Sequence, residues 1–141
     1  MLRSNEKNTV VFRPQYTLKI VSAVGNILEM MCRSEKNSAQ FLDDELIFIA
    51  NIETPLDSYL RIIFKHNFTS CFTFAHALFL VDKLINKYKM NIDKRKMHKL
   101  IVTVLLICTK YNEDHAISSK ALALISGIDN FELNIMENLI F

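Results

Sequence analysis

Apolar residues recur along this chain at helical spacing, and one segment departs from that by being apolar nearly throughout. From Lys99 to Lys110 the sequence reads KLIVTVLLICTK, apolar at every position between the lysines except Thr103. A surface helix carries one apolar stripe, whereas a helix apolar all round is enclosed on all sides. The run is shorter than the about 20 residues that a membrane span needs. It predicts a central helix wrapped by the rest of the chain.

The flanking segments supply the wrapping. Met1 to Pro14 is polar and mixed and predicts a flexible lead-in. From Gln15 to Arg33, Ile20, Val24, Ile27 and Met31 recur at spacings of four, three and four, with Val21 and Leu28 alongside, which is one helical face. Gly25 inside it costs about 1 kcal/mol against alanine. Phe41 to Ile52 is compatible with a short helix or an extended segment laid over the core. Thr54-Pro55-Leu56-Asp57 is a start signal, with a hydroxyl, a proline and a carboxylate at the N-terminus of a helix. That helix carries Leu56, Tyr59, Leu60 and Ile63 on one face and ends near His66-Asn67.

Thr69 or Ser70 caps a following helix that runs to about Tyr88. Its stripe, taken as Cys71, Ala75, Leu78, Asp82 and Ile85, includes one carboxylate, and a charge on an apolar stripe requires a partner. Arg61, set in YLRIIF, is the expected one. Asp93 caps the central helix, with Lys94, Arg95 and Lys96 in a first turn where the helix dipole disfavours them. A short helix spans about Ser118 to Ser126, with Gly127 as its C′ residue. Asp129 and Glu132 resemble a capping box that opens a last helix with Leu133, Met136 and Ile140 on one face. The expectation is an all-α domain: an N-terminal helix, then five helices arranged around the middle one.

Composition agrees. The chain has 141 residues, is 50% hydrophobic, and contains 2 Gly and 2 Pro, which disfavours a turn-dense β sandwich or barrel. Its net charge of +2 points to no bulk attraction for nucleic acid. Cys32, Cys71 and Cys108 form neither a disulfide framework nor a zinc spacing, and the N-terminus has no signal-peptide core, so the expectation is an intracellular protein with reduced thiols.

No catalytic or metal-ligating constellation emerges: there is no glycine-rich phosphate loop and no paired Cys/His spacing. Neither a catalytic residue nor a cofactor is expected. His76, within FTFAHALFL, reads as a core histidine. Lys83, Lys87, Lys89, Lys94, Arg95, Lys96 and Lys99 flank one helix junction. They read as a solvated rim rather than a phosphate-binding patch, because Tyr88 alone interleaves as an aromatic.

The order of pieces SYLRIIF, ALFLVDKLI, HKLIVTVLLICTK and SGIDNFELNIMENLIF is similar to the cyclin box. More narrowly, it resembles the single-box P/U-type cyclins, which include phosphate-pathway cyclins. The matching residues are Arg61, Val81-Asp82, His98 through Lys110, Gly127-Ile128, Glu132-Leu133-Asn134 and Met136-Glu137. The resemblance runs from about Gln15 to Phe141 and implies a cyclin domain over 15–141, with an N-terminal helix over about 15–33 and the box over about 53–141. Ser126 stands where the family has the first turn glycine.

The resemblance implies the regulatory subunit of a cyclin-dependent protein kinase, itself not an enzyme, acting in the nucleus or cytoplasm, in the cell cycle or in nutrient signalling. By position, Lys110 and Glu137 match the lysine and glutamate that contact the kinase. Ile107, Tyr111 and Phe141 fall where apolar residues receive its movable helix. Arg61 and Asp82 match an internal salt bridge between the first two box helices. No membrane or nucleic-acid partner is implied. The alternative is a cyclin-fold transcription or assembly module that binds no kinase.

Overall fold

The computed structural model describes residues 14–32, 47–50, 52–67, 70–112 and 117–140. The expected lead-in before Pro14, residues 41–46 of the ambiguous segment, Thr69 and Phe141 lie outside them. Among the described residues six helices follow one another: α1 (Pro14–Met31), α2 (Leu56–Asn67), α3 (Cys71–Tyr88), α4 (Lys94–Asn112), α5 (Ser119–Ser126) and α6 (Asn130–Ile140). Over these residues the architecture is all-α, an N-terminal helix followed by five more.

α4 is the centre. Every residue from Lys96 to Thr109 is buried, as the KLIVTVLLICTK run predicts. Thr103 is accommodated because its hydroxyl donates to the Lys99 carbonyl one turn back, at 2.8 Å. α3, α5 and α6 pack directly on α4, α2 packs on α5, and α1 lies across α2 and α3.

The α1 contact depends on Gly25. A Cβ placed there would lie 2.4 Å from Asp57 Cα and 2.6 Å from Asp57 N. Backbone cannot move aside as a side chain can, so only glycine lets the first turn of α2 come this close. One turn on, Glu29 Oε1 accepts from the Leu56 backbone N–H at 3.4 Å, and Oε2 lies 3.5 Å from Lys94 Nζ. Glu29 therefore supplies a carboxylate to the N-terminus of α2 and holds the first residue of α4. Thr54 does not perform the expected capping: the first helical bond runs from Tyr59 N–H to the Pro55 carbonyl, at 2.9 Å.

Helix ends elsewhere follow the sequence signals. The Ser70 hydroxyl accepts from Phe72 N–H, and the Ser118 hydroxyl from Ala121 N–H. Gly127, at φ 75°, closes α5 in the left-handed conformation. Asp129 accepts from Glu132 N–H at 3.2 Å, while the Glu132 side chain pairs with Lys99 instead of completing a capping box. Lys89 ends α3 at φ 51°, a left-handed position that carries no glycine. In the ambiguous segment, Phe48 is buried and Ala50 N–H donates to the Arg95 carbonyl at 2.8 Å, so this part lies over the start of α4.

Two stripes are rotated from their predicted positions. In α1 the buried positions are Val21, Val24, Gly25 and Leu28, and Ile27 is exposed. In α3 they are Cys71, Thr73, Phe74, Ala77 and Val81, and Asp82 is exposed. The expected Arg61–Asp82 bridge therefore does not form in this structure. Arg61 pairs with Asp57 at 3.6 Å on its own helix and donates to the Ser58 hydroxyl at 3.2 Å, while Asp82 accepts from Asn86 at 3.2 Å. Facing solvent, Asp82 keeps its hydration and needs no cationic partner.

Candidate functional site: a groove beside the end of α4

Two stripes at helical spacing and one residue of a third helix meet on one side of the molecule. His76, Leu80 and Leu84 come from α3, Val104, Ile107 and Tyr111 from α4, and Ile140 from α6. They enclose an open groove of about 480 Å³. Positions separated by three or four residues share a helix face, so α3 and α4 each present a continuous edge. Val104 and Ile107 are buried at its floor, and Tyr111 is 66% exposed at its edge.

Beside the groove, Lys110 at the end of α4 forms an ion pair with Glu137 of α6. Lys110 follows Ile107 by almost one turn, and Glu137 precedes Ile140 by the same interval. The α4–α6 packing that builds the groove thus also brings these two charges together. The Lys110 side chain remains 50% exposed and Glu137 14% exposed.

Of the expected site residues, Ile107 and Tyr111 line the groove, and Lys110 and Glu137 meet next to it. Phe141 lies outside the described residues. Leu80, Leu84, Val104 and Ile140 were not singled out as site residues from sequence. Their i, i+4 and i, i+3 spacing was legible, but it reads equally as core packing. His76 is a correction: it is half-buried in the groove wall rather than enclosed in the core. Asn112 Nδ2 lies 2.6 Å from its Nδ1.

The basic run around the α3–α4 junction is largely consumed by the fold. Lys96 is fully buried and its Nζ donates to the Asn91 carbonyl at 2.8 Å. Lys99 Nζ bridges the Ile47 carbonyl and Glu132 Oε1 at 3.2 and 3.0 Å. Arg95 clasps the buried Asp93, donating through Nη2 at 2.8 Å and through its backbone N–H at 2.9 Å. Burial alone would push the Asp93 carboxyl up; Arg95 and Lys96 outweigh it and hold it below its ordinary value. Lys83 and Lys87 lie over the rings of Phe79 and Tyr88, 4.8 and 5.3 Å from the centroids.

Other reactive groups serve the core. Burial pushes the Cys32 and Cys108 thiols up to about 12, which keeps them protonated. Burial likewise raises Tyr59 to about 12, so its phenol remains a donor, to the Ser126 carbonyl at 2.5 Å. The Tyr59 ring meets His98 edge-on at 4.9 Å, and His98 Nε2 lies 2.7 Å from the Thr54 carbonyl. This chain of contacts ties α2, α4 and α5 together. Among the described residues no helix is long and apolar enough to cross a membrane.

The arrangement has relatives. The family model described as Cyclin matches residues 18–141. The chain is 26% identical over 124 residues to Cyclin-U4-2 of Arabidopsis thaliana, an alignment covering 84% of this chain and 57% of that protein. It is 29% identical over 87 residues to Cyclin-U3-1 of the same organism, covering 60% and 38%. With Cyclin-U4-3 the identity is 22% over 120 residues, covering 84% and 55%. The chain thus spans about half the length of the curated relatives it matches. The helix order, the enclosed α4 and a family match across nearly all of the sequence agree: this chain belongs to the cyclin family.

Proposed function

We infer that this chain is a regulatory subunit that binds a cyclin-dependent protein kinase and favours its active conformation. The observation that carries the reading is the groove between α3, α4 and α6, with Ile107 and Tyr111 in its lining and Lys110 and Glu137 beside it. An apolar groove with a few placed polar groups receives the apolar face of a partner helix. In the complex, Lys110 donates to backbone carbonyls of the kinase and Glu137 accepts from its N–H groups, each charge-assisted. Holding the kinase helix in the position where its own Lys–Glu pair is formed shifts the population toward the active state. The chain performs no chemistry in this scheme. It works inside the cell, in the nucleus or cytoplasm, where the kinase is.

The test is recovery of an identified protein kinase from native extract by the purified chain, with phosphotransfer to a generic substrate measured before and after addition. Lys110→Ala/Glu137→Ala should keep the wild-type circular dichroism and lose both the kinase and the activation. Full binding by the double variant would remove these residues from the site. Failure of the wild type to recover any kinase would favour a cyclin-fold assembly module instead.

A further inference from the structure

His76 differs from the rest of the groove wall. Leu80 and Leu84 continue its stripe along α3, and Val104, Ile107 and Ile140 face it. Apart from the Tyr111 hydroxyl, its ring carries the polar atoms of the lining side chains. Asn112, one residue beyond Tyr111, brings its amide nitrogen to 2.6 Å from Nδ1. With the Asn112 amide nitrogen facing it, Nδ1 is assigned as the acceptor and Nε2 as the nitrogen that carries the ring proton. Among the described residues, Nε2 has no hydrogen-bond partner. The result is a fixed N–H donor in an otherwise apolar groove. Apolar walls supply affinity, but a placed donor supplies register.

We propose that His76, oriented by Asn112, is a specificity-determining residue of this groove, its Nε2–H donating to a backbone carbonyl at the end of the kinase helix seated there. The inference rests on the kinase-binding reading. A helix leaves its last four carbonyls without internal partners, so a helix end brings acceptors that need donors. A carboxylate fits less well, because burying a charge in an apolar groove costs more than one hydrogen bond returns. A helix that offers no acceptor at this register leaves Nε2–H covered and unpaired, and is rejected on that account. Asn112 is a positioning residue, acting through the imidazole.

The test uses the kinase recovered by the wild-type chain, produced recombinantly and titrated against purified variants. Leu84→Arg fills the groove and Tyr111→Ala trims its exposed edge; both report on the groove itself. His76→Leu removes the donor. His76→Gln places an amide N–H near the position of Nε2–H, and His76→Asn places one near Nδ1. The expected result is binding weakened about tenfold by His76→Leu and His76→Asn, largely restored by His76→Gln, with all melting temperatures unchanged. Wild-type affinity in His76→Leu, with binding lost in Leu84→Arg or Tyr111→Ala, overturns the inference and leaves the groove reading standing. Equal weakening by all three His76 variants overturns the donor assignment. Wild-type affinity in both Leu84→Arg and Tyr111→Ala, or no kinase recovered at all, overturns the groove reading and the inference with it.

Discussion

The two ends of α4 carry similar chemistry and put it to opposite uses. At the N-terminal end, Asp93 and Lys96 are fully buried and Lys99 nearly so, each held by named partners within the chain. At the C-terminal end, Lys110, Tyr111 and Asn112 are exposed beside an open groove, and the lysine of the Lys110–Glu137 pair is half in solvent. A buried charge must be satisfied internally, because the cost of leaving it unpaired is several kcal/mol. An exposed charge stays available to a partner, because water already satisfies it. The richer cluster of charge thus anchors the helix, and the sparser one faces outward. Substitutions at the two ends should separate stability from binding.

The largest effect is expected where α1 closes on the entry to α4. Gly25→Ala drives a Cβ into the Asp57 backbone, so α1 must lift and carry Glu29 away from Leu56 and Lys94. Overpacking of this kind costs about 3 kcal/mol, against about 1 kcal/mol regained in helix propensity. Urea denaturation should show a net loss of at least about 2 kcal/mol. A variant as stable as the wild type would mean that α1 is not seated on α2 in solution.

Asp93→Ala removes the α4 cap and leaves Arg95 without its buried anion. A loss of about 2 kcal/mol is expected, the upper end for a lost cap and less than for a fully buried pair because Arg95 can turn toward water. The pH dependence has a definite sign. Asp93 is held below its ordinary value in the folded chain, so the folded state binds this proton less readily than the unfolded state. Its stabilisation is present above the ordinary carboxylate pKa and lost as pH falls through the depressed one. Melting temperature should therefore fall more steeply on acidification in the wild type than in Asp93→Asn. Parallel curves would show that Arg95 and Lys96 do not hold the carboxylate charged.

At the other end of α4 the stability effect shrinks and the binding effect takes over. Lys110→Ala/Glu137→Ala should cost at most about 1 kcal/mol, as for a partly exposed pair, while abolishing kinase binding. The charge swap Lys110→Glu/Glu137→Lys sharpens the contrast. It recreates the internal pair and should melt with the wild type, yet it presents the wrong charges to kinase backbone groups and should not bind. Binding restored by the swap would make the pair a brace between α4 and α6 and not a contact surface.

Part of this asymmetry is legible from sequence, and the rest is hidden for a physical reason. KLIVTVLLICTK identified the enclosed helix because no solvent-facing stripe exists in it. Ile107, Lys110, Tyr111 and Glu137 come from the resemblance, and α4–α6 packing pairs Lys110 with Glu137 beside the groove that Ile107 and Tyr111 line. Groove walls such as Leu80 and Val104 were not separable, since a side chain that lines a groove obeys the same periodicity as one that fills a core. The burial of Lys96 and Lys99 was hidden because a lysine stem packs as a hydrocarbon once its amine finds carbonyls, here those of Asn91 and Ile47. His76 was placed in the core because apolar neighbours in sequence do not say which face of α3 is covered.

The smallest expected effect belongs to Arg61, and it calibrates the comparison. The stripe taken through Asp82 implied a buried pair whose loss would cost about 3–5 kcal/mol. In the structure the buried stripe runs through Ala77 and Val81, Asp82 faces solvent, and the Arg61 side chain is 43% exposed beside Asp57. An exposed i, i+4 pair contributes about 0.3–0.5 kcal/mol. Arg61→Ala should therefore move the urea midpoint barely beyond error, and Asp82→Ala no more. A double-mutant cycle between Arg61 and Asp57 should return a coupling of that size, and one between Arg61 and Asp82 should return none. Should Arg61→Ala instead cost as much as Asp93→Ala, exposure would not be what separates the two ends of α4, and Asp82 would face α2 in solution.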